Sequence, residues 1–267
     1  MKKFFILFLL IVYTSVFSQL KIISWNVENL GKSKSDSTIT YIANTLKDYD
    51  IVALQEVVAG YGGTQAVAKL AEELNRKGTK WEYVVSESTT GNSYKKERYA
   101  FLWKTSKVKK IGEAWLEKKY NLEIDREPFY CTFKYNDKSV TLVNFHAITK
   151  SKQPETEIKY FKFLPLEYPL LNLMFIGDFN CPQSHTVFNP LKKMGFVSVF
   201  KNQKTTLKKE CKKEQCLASE FDNIWYNVSK LKVLKCDVIH FYKDFNSLEK
   251  AGEISDHIPI WVEISLN

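Results

Sequence analysis

The sequence predicts a layered α/β domain. Three observations carry that reading: short runs rich in Ile, Val, Phe and Tyr recur along the 267 residues, helical periodicity appears between some of them, and no repeat or low-complexity linker interrupts the series. A composition that is 45% hydrophobic and 14% aromatic supplies one substantial core, which argues for a single domain.

The first stretch, MKKFFILFLLIVYTSVFSQ, places two lysines before an apolar run over 4–13 and then small residues up to Ser18, the order of a secretory signal peptide. That run falls well short of the ~20 apolar residues of a spanning helix. Residues 1–18 are therefore expected to be a leader removed on export to a periplasmic or extracellular location. The expected domain is 19–267, without stable membrane insertion. Strands are expected at 20–24, 51–54, 81–86, 99–103, 129–134, 140–145, 173–176, 223–226, 233–239 and 260–264. Between them, Ile39, Ile42, Ala43 and Leu46 make one apolar helical face, and Val67, Leu70, Ala71 and Leu74 make another. Asp36 or Ser37 is expected to cap the first helix and Gly78 to end the second.

The formal charge of +9 falls to +7 when Lys2 and Lys3 leave with the leader, a balance that favours polyanionic partners. Much of the excess sits in KNQKTTLKKECKKEQC, residues 201–216. This segment reads as a basic loop in which Lys208, Lys209, Lys212 and Lys213 either contact nucleic-acid phosphates or form a solvated face. Five cysteines in an exported chain allow at most two disulfides with one thiol left over. Cys181, Cys211 and Cys216 stand in polar loop contexts and are the candidates, with their pairing open. Cys131 and Cys236 fall in strand-like runs and read as small core residues.

Polar residues cluster where the apolar runs end. Asn26 and Glu28 follow the first run, Gln55 and Glu56 the second, and His146, Asp178 and Asn180 come at later ends. Asp222 opens one strand, while Asp256 and His257 precede the last. Strand ends gather at one rim of a layered sheet, so these residues can converge. Carboxylates at such density repel one another unless a cation sits among them, and hard oxygen ligands select magnesium, manganese or calcium. No Cys/His spacing for zinc is present. A lone Asp after a strand is commonly a turn former, but that does not account for so many polar residues recurring at strand ends.

The ordered set SWNVEN, LQEV, GDFN and SDHIP, spread over nearly the whole expected domain, resembles the endonuclease/exonuclease/phosphatase superfamily. GNSYKKERYAFLWK, DREPF and LVNFHA resemble its deoxyribonuclease I-like branch. That resemblance implies a sandwich of two mixed β-sheets flanked by helices, and a magnesium-dependent phosphodiesterase, with manganese as a substitute, that cleaves DNA with little sequence preference. It implies that Glu97 orients His146 and that Asp222 orients His257. Asn26, Glu28, Glu56 and Asp256 would hold the cation, Asp178 and Asn180 would position water and phosphoryl group, and Arg126 would clamp the phosphate. Tyr94 would pack against the nucleic-acid backbone, and Arg98 reads as structural. A nucleic-acid partner, DNA first, and a monomer are expected.

The sequence also departs from that branch. Val58 and AGYGG replace an arginine that enters the minor groove, and Glu28 replaces another arginine. The lysine-rich segment replaces a structural calcium loop, so the resemblance leaves calcium open. Cys181 and Cys216 resemble the positions of that branch's stabilising disulfide, with Cys211 competing for either partner. His185 and His240 match no part of the pattern and read as non-catalytic. Two other readings keep the same residues: a phosphatase or phosphodiesterase of lipid or inositol phosphates, and a binding protein that keeps only the fold. A lipid-cleaving relative would carry an aromatic, membrane-seeking hairpin, and a binding protein has no need of all the acids and histidines.

Overall fold

The computed structural model describes residues 19–90 and 96–267; the expected leader and Tyr94 lie outside them. The strands are β1 (Leu20–Leu30), β2 (Ile51–Val58), β3 (Trp81–Val85), β4 (Glu97–Lys104), β5 (Lys109–Leu116), β6 (Phe129–Tyr135), β7 (Lys138–His146), β8 (Leu173–Asp178), β9 (Phe196–Ser198), β10 (Leu207–Lys212), β11 (Gln215–Leu217), β12 (Asp222–Asn227), β13 (Leu231–Val238) and β14 (Ile260–Leu266). Two longer helices, α1 (Asp36–Leu46) and α2 (Tyr61–Asn75), precede the short α3 (Glu155–Ile158) and α4 (Leu164–Glu167).

The strands form two six-stranded mixed sheets, ordered β13-β14-β1-β2-β4-β3 and β5-β6-β7-β8-β12-β9, with β10-β11 as a separate hairpin. Each large sheet has one parallel pair near its centre, β1 with β2 and β7 with β8, and its other pairs are antiparallel. This topology explains why the polar residues converge. The central parallel strands end at the rim where β4, β12 and β14 begin, so the end of one strand and the start of another reach the same edge.

Alternation along the strands builds two cores. Cys131, Phe133, Leu142, Met174 and Ile176 turn towards the first sheet, whereas Tyr130, Val143, Phe145 and Phe175 turn the other way. The second set packs under Ile158, Phe161 and Leu164 from the α3–α4 segment. The expected apolar faces of α1 and α2 are buried. The first helix is capped one residue earlier than expected, by Ser35, whose side chain accepts from Thr38 N. Gly78 lies just beyond α2 with φ of 95°, the left-handed backbone that glycine tolerates best.

A polar tie crosses between the sheets. Gln55, expected at the rim with Glu56, is fully buried and donates to Asn144 Oδ1 at 2.6 Å and Ser24 Oγ at 3.0 Å. Asn144 in turn donates to the Leu54 carbonyl at 3.0 Å. Gly177 in GDFN has φ of 136°, and a Cβ there would stand 2.1 Å from the Phe145 carbonyl oxygen, so β8 can run this close to β7 only with glycine.

Three expectations change. The basic segment is not a loop: Leu207–Lys212 and Gln215–Leu217 pair as a hairpin, with Lys213 and Glu214 at positive φ in the turn. The disulfide joins Cys211 to Cys216 across that hairpin, leaving Cys181 buried and free, so the Cys181–Cys216 pairing implied by the resemblance is overturned. Cys236 is exposed rather than a core residue, because its position on β13 faces solvent.

Candidate active site

At the common rim lies an open cleft of about 790 Å³, lined among others by Glu56, Glu97, His146, Asp178, Asp256 and His257. His146 ends β7 directly opposite Asp178 at the end of β8, and Asp178 is also paired in register with Asp222 at the start of β12. Strand register thus sets these three side chains beside one another.

Two imidazoles are each held by a carboxylate. His146 Nδ1 lies 3.0 Å from both Glu97 oxygens, and His257 Nδ1 lies 2.7 Å from Asp222 Oδ2. An ionised carboxylate only accepts, so each Nδ1 carries the proton and each Nε2 faces the cleft. The two Nε2 atoms lie 3.4 Å and 3.6 Å from the same atom, Asp178 Oδ2. Burial works to lower the pKa of both histidines but is outweighed, by Glu97 and Asp178 for His146 and by Asp222 and Asp178 for His257. His146 is raised and His257 is raised well above the usual value.

Arg126, expected to clamp the phosphate, lines the cleft and is itself tied to its neighbours. Its Nη1 donates to Glu97 Oε2 at 2.9 Å, its Nη2 donates to the Ala147 carbonyl, and the side chain is buried. Burial tends to raise the Glu97 pKa, but His146 and Arg126 together hold the carboxyl below its usual range. Arg98, the other charge in that stretch, donates to the carbonyls of Ala59 and Ser86, in keeping with a structural part.

The second acidic group lies beside the first. Glu56 has φ of 58°, a left-handed backbone uncommon for a residue with a side chain, at a register shift in β2. Its Oε1 accepts from Asn26 Nδ2 at 3.1 Å, and the same amide donates to Asp178 Oδ2 at 3.2 Å. Asn26 Oδ1 is buried with no hydrogen-bond partner. Burial, then the charges of Asp256 and Glu56, push the Glu28 pKa up. An orphaned carbonyl oxygen beside three mutually repelling carboxylates is the donor chemistry of a hard divalent cation, so these residues fit one. Asp178, Asp222 and His257 also bring one ligand atom each within 4.8 Å of one another. The hydrogen bond already joining Asp222 to His257 suits that trio better to proton handling.

Sequence reasoning missed several supporting residues. Thr205 Oγ1 donates to Asp222 Oδ2 at 2.6 Å and accepts from Asp222 N. Ser255 Oγ donates to the Asn26 carbonyl and accepts from His257 N, which explains the serine in SDHIP, while Trp25 Nε1 donates to the His257 carbonyl. Lys34 Nζ donates to the carbonyls of Glu253 and Ile254, tying the segment after β1 to the approach to His257. Lys96, Thr149 and Lys150 line the cleft. Lys150 could have been noticed as a cation just beyond the strand that ends in His146; Thr205 sends no signal, because its partner is 17 residues away. The hairpin borders the cleft only at its base, through Thr206 and Leu207, and Lys208, Lys209, Lys212 and Lys213 are not part of the lining. Asn180, at φ of 47°, donates from Nδ2 to the Ala147 carbonyl and lines the cleft. His185 caps a short turn by accepting from Val187 N, and His240 lies away from the cleft lining.

Comparison with known proteins adds an independent line. The family model described as the Endonuclease/Exonuclease/phosphatase family matches residues 23–257. A deoxyribonuclease of Thioalkalivibrio sp. is 26% identical over 286 residues, covering 97% of this chain and 74% of that protein. Deoxyribonuclease-1 of Bos taurus is 33% identical over 178 residues, covering 62% of this chain and 62% of its own length, less than two thirds of either. A Bacteroides thetaiotaomicron mannosyl-6-phosphatase shares the fold at a TM-score of 0.66 and 20% identity, covering 92% of this chain and 99% of that one.

Proposed function

This chain belongs to the endonuclease/exonuclease/phosphatase family and is a hydrolase acting on phosphodiester bonds, and from that premise we propose that it is an exported, divalent-metal-dependent endonuclease that cleaves DNA with little sequence preference. The observation that carries the reading is the facing pair of histidines. Two imidazoles, each oriented by its own carboxylate, aim Nε2 at one point beside Asp178. Phosphodiester hydrolysis needs a proton taken from water on one side of phosphorus and a proton given to the departing oxygen on the other.

In this reading His257, held by Asp222, takes the proton from the attacking water. His146, held by Glu97, protonates the leaving oxygen. Asp178 and Asn180 position water and phosphoryl group between them. Arg126, at the cleft wall, clamps the phosphate and also keeps the Glu97 carboxylate ionised so that it accepts from His146 Nδ1. Asn26, Glu28, Glu56 and Asp256 would hold magnesium, or manganese in its place. When bound, such a cation supplies Lewis-acid stabilisation of the phosphoryl oxygens and a template for the substrate. Lys96 and Lys150 at the cleft wall, and the lysines of the β10–β11 hairpin beyond it, supply positive charge for a polyanion longer than one phosphodiester.

A plasmid-nicking assay tests this. Purified protein should relax supercoiled plasmid with magnesium and not with excess chelator. Protein that leaves plasmid intact in magnesium, yet releases phosphate from inositol phosphates or headgroups from phospholipids, would sink the nuclease reading and leave the hydrolase reading standing.

A further inference from the structure

Of the ten large hydrophobic side chains exposed among the described residues, Leu122, Phe163, Leu166 and Leu170 stand on two adjoining segments away from the cleft. Leu122 is 93% exposed, Leu166 67% and Leu170 97%. The two segments are joined by aromatic contacts, with Tyr120 stacked on Phe163 at 5.9 Å and tilted on Tyr160 at 5.6 Å, and by the Lys119–Glu167 ion pair. Beneath them Ile158, Phe161 and Leu164 are buried in the second core, so the exposed leucines are not core residues in want of room.

Cations are interleaved with this apolar surface. Lys119 Nζ lies 5.8 Å from the Tyr120 ring, Lys159 Nζ 5.2 Å from Tyr160 and Lys162 Nζ 4.8 Å from Phe163. We infer that this face adsorbs to the surface of an anionic bilayer, its leucines entering the boundary between headgroups and acyl chains while its lysines meet the phosphates. Lone exposed leucines are ordinary, but a contiguous patch of leucine, aromatic ring and lysine has the chemistry of an interfacial anchor.

Other occupants fit less well. A second copy of the chain would bring the same lysines face to face across a two-fold axis. Nucleic acid stacks on open aromatic faces, whereas Tyr120, Tyr160 and Phe163 pack against one another with a lysine beside each, and of the three only Phe163, at 37%, is exposed. The contact is adsorption and not spanning, since no helix among the described residues is long and apolar enough to cross a membrane. Leu166 and Leu170 lead into the end of β8 opposite Asp178, so adsorption through them leaves the cleft open to solvent.

Residues 19–267 hold every described element and both cores, and they exclude the apolar leader, which would itself bind lipid. The test is cosedimentation of this form with phosphatidylcholine vesicles, with and without phosphatidylglycerol. Binding should require phosphatidylglycerol and weaken with salt. It should fall by about 10-fold or more in the Leu122→Ser/Leu166→Ser/Leu170→Ser variant, and also in Lys159→Glu/Lys162→Glu. Circular dichroism and the thermal midpoint should match the parent, as all five positions project outward. The inference is overturned if the parent stays in the supernatant with anionic vesicles, or if the leucine variant sediments as the parent does. A parent dimer that the leucine substitutions dissolve would overturn it in favour of self-association, and a loss of DNA affinity with the same leucines would overturn it in favour of a nucleic-acid surface.

Discussion

Asp178 Oδ2 is the atom around which the cleft is organised, within 3.6 Å of both imidazole Nε2 atoms and hydrogen-bonded to Asn26. Replacing either imidazole removes one proton-transfer partner and leaves the surrounding hydrogen bonds of the strands intact. His146→Ala and His257→Ala should each lower turnover on plasmid by about 100-fold or more, the lower end of what a positioned acid or base supplies. Full activity in a variant with an unchanged circular dichroism spectrum would remove that histidine from the chemistry. Thr205 is a positioning residue of the same site, acting through Asp222. Thr205→Val should lower kcat about 10-fold, roughly one hydrogen bond to a charged group, and Thr205→Ser should restore most of it because the hydroxyl returns. Equal losses in both variants would mean that the threonine methyl matters and the hydrogen bond does not.

Among the elements, the β10–β11 hairpin deviates most from expectation. Its lysines read as a loop because Leu207–Lys212 shows no alternation of apolar and polar residues, the signal by which a half-buried strand is recognised. What makes it a strand pair is the Cys211–Cys216 bridge and the pairing of its base with the segment carrying His257: Leu207 N donates to the Asp256 carbonyl and Ile258 N to the Thr205 carbonyl. A rigid arm is thereby anchored at the cleft mouth with its charges projecting outward. If Lys208, Lys209, Lys212 and Lys213 contact DNA phosphates, changing all four to Gln should reduce the logarithmic salt slope of binding by about 0.9 per contact, up to ~3.6. Hydrolysis of bis-p-nitrophenyl phosphate should stay near the parent rate, since the four side chains lie outside the cleft lining. Identical salt slopes for parent and variant would make the arm a solvated face.

For the whole molecule, the site depends on two sheets keeping one alignment, because Glu56 and Glu97 come from one sheet and His146, Asp178 and Asp222 from the other. The buried Ser24–Gln55–Asn144 tie is one of the polar links between the sheets, together with Asn26–Asp178 and Glu97–His146, and the one set back from the cleft. Asn144→Ala should cost about 2 kcal/mol or more in urea unfolding, since it strands buried donors and acceptors. It should also lower activity, although Asn144 touches no cleft residue named above. A variant as stable as the parent would show that this tie contributes nothing to holding the sheets in register.

The sequence by itself determined the α/β class, both long helices, ten of the strands, and the residues gathered at the rim, because each is written in local periodicity or in a short motif at a strand end. It could not determine β5, whose residues are half or fully exposed at a sheet edge, or the cysteine pairing, which depends on which loops lie side by side. Nor could it show what holds Arg126 in place. Arg126 in DREP is expected to clamp the phosphate, and only the approach of β4, β7 and the segment before β6 ties its guanidinium to Glu97 and the Ala147 carbonyl at the cleft wall. Residue type and spacing say which chemistry a strand end can offer. Whether a charge meets substrate or is neutralised by a neighbour from another strand depends on distances of about 3 Å between residues 20–50 positions apart, and those are fixed only when the sheets pack.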